Sequence, residues 1–132
     1  MSRRFAFVFL ILLPLSAWSD DVAPTQAIKT QIEAFQADDF AAAFEIASPN
    51  IQSVFKNPDN FGRMVRNGFP MVWRPKRVQF LDQRMINGQE WQLVQIEDFA
   101  GEFHYLDYQM IKINDEWRIN AVQIVPSPSV SA

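Results

Sequence analysis

The chain has 132 residues, 48% hydrophobic and 20% charged, with a formal net charge of −3 and no cysteine. That size and apolar content suit one domain with its own core, and the charge has the wrong sign for a general nucleic-acid binder. The lack of cysteine excludes a disulfide-stapled scaffold, a cysteine-anchored lipoprotein and thiolate metal sites, so stability has to come from the core.

Arg3 and Arg4 precede an uncharged run from Phe5 to Leu15. This is the layout of a secretory signal, and the run is shorter than the ~20 residues a membrane-spanning helix needs. Ala17 and Ser19, small residues flanking Trp18 just before Asp20 and Asp21, predict cleavage after Ser19 and export to the periplasm or beyond. The expected organisation is a signal peptide over 1–19, a single α+β domain over 20–126 and a flexible tail over 127–132. No stable transmembrane anchor is expected. The mature part has 113 residues and a net charge of −5, and a domain of that length buries roughly 65% of its unfolded surface.

Ile28, Ile32 and Phe35 recur at helical spacing, with Thr25 or a neighbour placed to cap the helix start. A second stripe, Phe40, Ala43, Phe44 and Ala47, follows the junction Ala37-Asp38-Asp39. Aspartate is a preferred N-cap residue, so capping is the expected role of this acidic pair, ahead of catalysis. Ser48-Pro49 and Asn57-Pro58 each pair a capping side chain with a proline suited to a first helical turn. The helix after Asn57 carries Phe61, Met64 and Val65 on one face and is expected to stop at Gly68 in a left-handed conformation. Pro70 and Pro75 bracket Met71 to Arg74, which reads as an extended crossing segment.

From Arg77 the spacing becomes strand-like, and turn signals at Asn87-Gly88, Ala100-Gly101 and Asn114-Asp115 predict a four-stranded antiparallel meander. The alternation slips at Phe80-Leu81, at Leu93-Val94 and after Ala121. Such phase changes predict bulges in a curved sheet or a sheet covered on both faces. Helices followed by a meander imply an α+β fold with the helices on one face.

That order resembles the cystatin-like cone of the nuclear-transport-factor-two superfamily. More closely, the chain resembles the bacterial family named domain of unknown function 4864. The resemblance rests on Ala37-Asp38-Asp39, Ser48-Pro49, the Phe61 to Arg66 helix, Arg74-Pro75 and the closing Trp117-Arg118-Ile119, and spans nearly the whole mature chain. It implies an envelope protein with a cone-shaped fold and brings no established activity. Where that family often has glycine after the acidic turn residue, this chain has Asp115-Glu116.

The chemistry is sparse. His104 is the single histidine, no Gly-x-Ser-x-Gly elbow occurs, and the four glycines form no phosphate loop. No metal site and no cofactor are expected. Two sets of residues remain as site candidates. On the third strand Tyr105 and Asp107 are two apart and share a face with Phe103, so in a cone pocket they could serve an isomerase-like or hydratase-like enzyme. The more ordinary roles are a core tyrosine and an Asp107–Arg118 ion pair. Trp73, Arg74 and Arg77 lie in a basic stretch from Lys56 to Arg84 and could dock an anionic ligand, against pairing of Arg77 and Arg84 with Glu90 and Glu97 across strands. Trp91, Tyr108 and Met110 are candidates for an outer apolar face that could support a homodimer. The expected function is non-enzymatic binding of a small or anionic ligand or an envelope protein partner.

Overall fold

The computed structural model describes residues 23–128. The expected signal segment with its cleavage site, and the last four residues of the expected tail, lie outside them. Helix α1 spans Pro24–Gln36 and buries Ile28, Ile32 and Phe35 on one face. Pro24 occupies its first turn and Ala23 its N-cap with no side-chain bond, so Thr25 is inside the helix and not its cap. The pre-set φ of proline starts the helix without a capping side chain.

The acidic junction both ends α1 and begins α2, Phe40–Ile46. Asp38 adopts a left-handed conformation (φ 57°). Its N–H donates to the Phe35 carbonyl and that of Asp39 to Ala34, which closes the helix end in a Schellman motif. Asp39 then turns its Oδ1 to the Ala42 N–H, 3.1 Å away, as the N-cap of α2. Ser48 caps α3, Pro49–Phe55, and Asn57 caps α4, Pro58–Gly68. Within α4, Gly62 admits the Phe40 ring so closely that a Cβ there would sit 2.7 Å from Phe40 Cδ1.

Two expectations fail between α4 and the sheet. Gly68 is helical and does not enter the left-handed region. The helix stops because Phe69, which precedes Pro70, is pushed to φ −136° and ψ 55°. Met71 to Arg74 is not extended: Pro70–Trp73 forms a single helical turn, α5, that buries Met71 and Val72. Each proline constrains only the residue before it, Phe69 or Arg74, and the residues between are free to coil toward the core.

The sheet runs β1 (Arg77–Ile86), β2 (Gln89–Glu97), β3 (Phe103–Ile113), β4 (Glu116–Val125), paired in that order and antiparallel throughout. The tight turns at Asn87-Gly88 and Asn114-Asp115 place both central residues at positive φ, which matches the twist of a two-residue hairpin. Two of the three phase changes are bulges. In β1, Leu81 and Asp82 together oppose Leu93, and in β4 Asn120 is the extra residue between the Ala121–Gln109 and Ile119–Met110 pairs. The third is not a bulge: β2 pairs with β3 without interruption, so Leu93 and Val94 simply point to opposite faces.

Over the described residues the fold is therefore α+β, with five helices packed on one face of a curved four-stranded antiparallel meander. Val94, Ile96, Leu106, Tyr108, Met110 and Ile119 form the sheet's share of the core. Between α2 and α3 the chain runs along the edge of β4, where Ala47 bridges Ile119 in parallel and the Ser48 N–H donates to the Ile119 carbonyl. Pro126, Ser127 and Pro128 are exposed and without regular structure. Among the described residues no helix is long and apolar enough to cross a membrane.

Candidate functional site

The inner face of the sheet does not fill the space under the helices. A cavity of about 320 Å³ lies between α1, α3, α4 and α5 on one side and β3 and β4 on the other. Its walls are made by the apolar stripes that build the core, among them Phe35, Phe61, Met64 and Val72. The Asn120 bulge matters here. Because it shifts the phase of β4, Ile119 and Val122 both face inward and line the same wall.

Of the fifteen described residues that line it, only Gln31, Tyr108 and Asn120 are polar, and none is charged. Asn120 is occupied: its Oδ1 accepts from Ser48 Oγ at 2.8 Å and its Nδ2 donates to Gln109 Oε1 at 2.8 Å. Gln31 donates its Nε2 to the Ala43 carbonyl at 3.0 Å. Tyr108 is 1% exposed, and its hydroxyl has no hydrogen-bond partner among the described residues. Burial pushes its phenol pKa far up, so the group stays protonated. An unpaired buried hydroxyl costs roughly 1–3 kcal/mol; with under 1 Å² of accessible surface, this one is closed off from the open space of the cavity.

Tyr105, Asp107 and Phe103 do share a face, but it is the outer face of the sheet, away from the cavity. The face expected to be outermost, with Tyr108 and Met110, is instead the inner one, and of that trio only Trp91 lies outside. Both faces of β3 carry aromatic and aliphatic residues; the uncharged run Leu106, Tyr108 and Met110, flanked on its own face by His104 and Lys112, meets the helices. Asp107 receives a bidentate pair of bonds from Arg84, at 2.9 and 2.7 Å. Its partner is therefore not Arg118, which donates to the Glu45 carbonyl and to Glu116. The guanidinium reaches from β1 across β2 because an arginine stem is long enough to span one intervening strand.

The basic candidates do not converge on one site. Arg74 stacks over the Trp73 ring at 4.1 Å, and both side chains bind Asp38: the indole N–H at 2.9 Å and the guanidinium at 3.0 and 3.1 Å. Arg74 also donates to the Phe35 carbonyl, which neutralises the C-terminal end of α1. The Trp73 indole bond and then the Arg74 bonds hold the Asp38 carboxyl below its ordinary range. Arg77 lies apart, paired with Glu97 at 2.9 Å as cross-strand pairing predicts. Arg84 does not pair with Glu90, whose carboxylate accepts from Gln83.

The structure also assembles a group that counting histidines and cysteines misses. Asp98, Glu102 and His104 bring one side-chain donor atom each within 4.8 Å of one another at the β2–β3 turn. Asp98 Oδ1 accepts from the N–H groups of Ala100 and Glu102, and its Oδ2 lies 2.8 Å from His104 Nε2. The pattern pins the turn. The His104 bond and then the backbone bonds lower the Asp98 pKa. A depressed carboxyl pKa contributes stability that is present above the unfolded value of 3.8 and is lost as the pH falls through the folded value. The melting-temperature gap between wild type and Asp98→Asn is therefore expected at neutral pH and should close below about pH 3.8. A gap that stays constant from neutral to acid pH would show that the charge is irrelevant to the turn.

No curated protein matches the chain. The fold is compatible with the cystatin-like order of elements. A family model covers the described fold from end to end, matching residues 19–132, and the chain belongs to that family, described as Domain of unknown function (DUF4864).

Proposed function

We propose that this domain binds a small, predominantly apolar molecule in the cavity between its helices and its sheet, without transforming it. The observation that carries this reading is an apolar space of ligand size, with no charged group among the described residues that line it. Small-molecule sites are concave, mostly apolar and about 300–1,000 Å³, with a few placed polar groups. The lining supports binding over catalysis because, among the described residues, it offers no carboxylate, imidazole, amine or thiol to act as base or nucleophile. The Asp107 carboxylate lies on the other face of the sheet, bonded to Arg84. The charged surface candidates bind other residues of the chain, so a cavity ligand is favoured over an anionic one at the surface.

N-phenyl-1-naphthylamine, an apolar dye that brightens when taken out of water, is expected to bind the wild-type domain. Val122→Phe, which extends a lining side chain into the cavity, should weaken that binding at least tenfold while leaving far-UV circular dichroism unchanged. Equal brightening with both proteins would place the dye elsewhere and end the proposal. The residues 1–19 support export of the protein, and mass spectrometry of the mature chain should then find Asp20 as its first residue.

A further inference from the structure

We infer that the cavity takes a ligand whose buried polar group is an uncharged hydrogen-bond donor, a hydroxyl or an amide N–H, which it gives to Oε1 of Gln31. This deepens the cavity-binding reading and rests on it. On α1 the buried stripe Ile28, Ile32 and Phe35 is joined by Gln31, which is only 4% exposed and lines the cavity. A carboxamide taken out of water is costly unless both its halves find partners. One half does: Nε2 donates to the Ala43 carbonyl at 3.0 Å, and because a carbonyl can only accept, the orientation of the amide is fixed. Oε1, on the other arm of the planar group, has no donor among the described residues. It is not closed off either. Among the described residues the Tyr108 hydroxyl is the one buried side-chain polar atom that lacks both a partner and accessible surface, so the equally unpaired Oε1 keeps surface that a water-sized group can reach. With the rest of Gln31 enclosed, that approach is from the cavity it lines.

The other polar side chains of the wall do not compete for a ligand. Asn120 is engaged at both its amide atoms, by Ser48 and Gln109, and the Tyr108 hydroxyl is shut away from the open space. A ketone or ether oxygen beside Gln31 Oε1 sets lone pair against lone pair. A carboxylate does the same and also gives up its hydration shell with no cation among the described lining residues. An ammonium group can donate, but it meets no carboxylate there to balance its charge. A hydroxyl or an amide N–H brings the donor without the charge, and in doing so completes the pairing of a buried amide that the protein leaves half used.

The test is calorimetric titration of the wild-type domain and Gln31→Met with 2-naphthol and 2-methylnaphthalene, whose hydroxyl and methyl groups are close in size. Methionine keeps the length of the glutamine side chain and removes the acceptor. The variant is expected to lose about tenfold in affinity for 2-naphthol and to bind 2-methylnaphthalene within about twofold of wild type. An unchanged naphthol affinity overturns the inference, and so does an equal loss for both probes, which would make Gln31 a packing residue. If 2-methylnaphthalene fails to bind the wild-type domain, the cavity-binding reading itself falls and takes the inference with it. If it binds and 2-naphthol does not, the cavity reading stands and the inference alone falls. Should Gln31→Met not fold, the carbon NMR resonance of the Gln31 side-chain carbonyl in the wild-type domain decides the matter. A resonance further downfield with 2-naphthol bound than with 2-methylnaphthalene bound supports the hydrogen bond, and the same position with both overturns it.

Discussion

Phe61→Ala is expected to destabilise the domain by about 3–5 kcal/mol, the range for deleting a buried aromatic ring. Phe61 sits at the centre of a ring cluster, with centroids at 5.8 Å to Phe35, 5.4 Å to Phe44 and 5.8 Å to Phe55. It therefore joins α1, α2, α3 and α4, and among the described residues no other aromatic makes ring pairs with as many helices. Relaxation can do little to refill the space, because Phe61 also lines the cavity and its removal enlarges a void that is already present. Against a typical total stability of about 5–15 kcal/mol, such a loss brings the domain close to its folding threshold. Urea denaturation of wild type and variant measures it. A loss under about 1.5 kcal/mol would mean that the cluster collapses onto the gap, and the cavity would then be too plastic to define a ligand site.

Ser48→Ala is expected to cost about 2–4 kcal/mol, more than a helix cap alone. Ser48 is fully buried, and its hydroxyl works in two directions. It accepts from the Ile51 N–H as the N-cap of α3, a role worth about 1 kcal/mol, and donates to Asn120 Oδ1 at the β4 bulge. Alanine removes both and leaves a part-buried amide oxygen without its donor, which adds about 1–3 kcal/mol. The position joins the helical layer to the sheet where Asn120 and Val122 frame the cavity, so apolar-probe affinity should fall together with stability. Denaturation gives the magnitude, and hydrogen exchange locates it. The Ile51 amide should lose protection before the amides of β2 and β3. A cost limited to about 1 kcal/mol would show that the bond to Asn120 is dispensable.

Tyr108 could have been found from the strand pattern. Phe103 to Ile113 offers two faces, and only Leu106, Tyr108 and Met110 form a run free of charge and amide groups; the other face includes Asp107 and Gln109. That difference favours the buried face, while His104 and Lys112 on the same face count against it. Giving priority to Tyr105 and Asp107 because they are chemically attractive inverts it. The Trp73–Arg74–Asp38 joint is different in kind, since it closes across 35 residues between the indole and the carboxylate and no local spacing announces it.

What the residues determine by themselves is whatever is closed within a few positions. Asp39, Ser48 and Asn57 cap helices three residues ahead, Asn87-Gly88 and Asn114-Asp115 turn hairpins, and phase changes near Phe80 and Ala121 mark the bulges. These hold because the backbone bonds and dihedral preferences involved are local, and tertiary packing has little to override. That the face with Tyr108 borders a cavity, while Asp107 is tied to Arg84 on the outer face, was decided by the tertiary structure. A strand that alternates with period two can favour one face for burial, but only the joint packing of stripes from distant helices covers that face and leaves a space behind it.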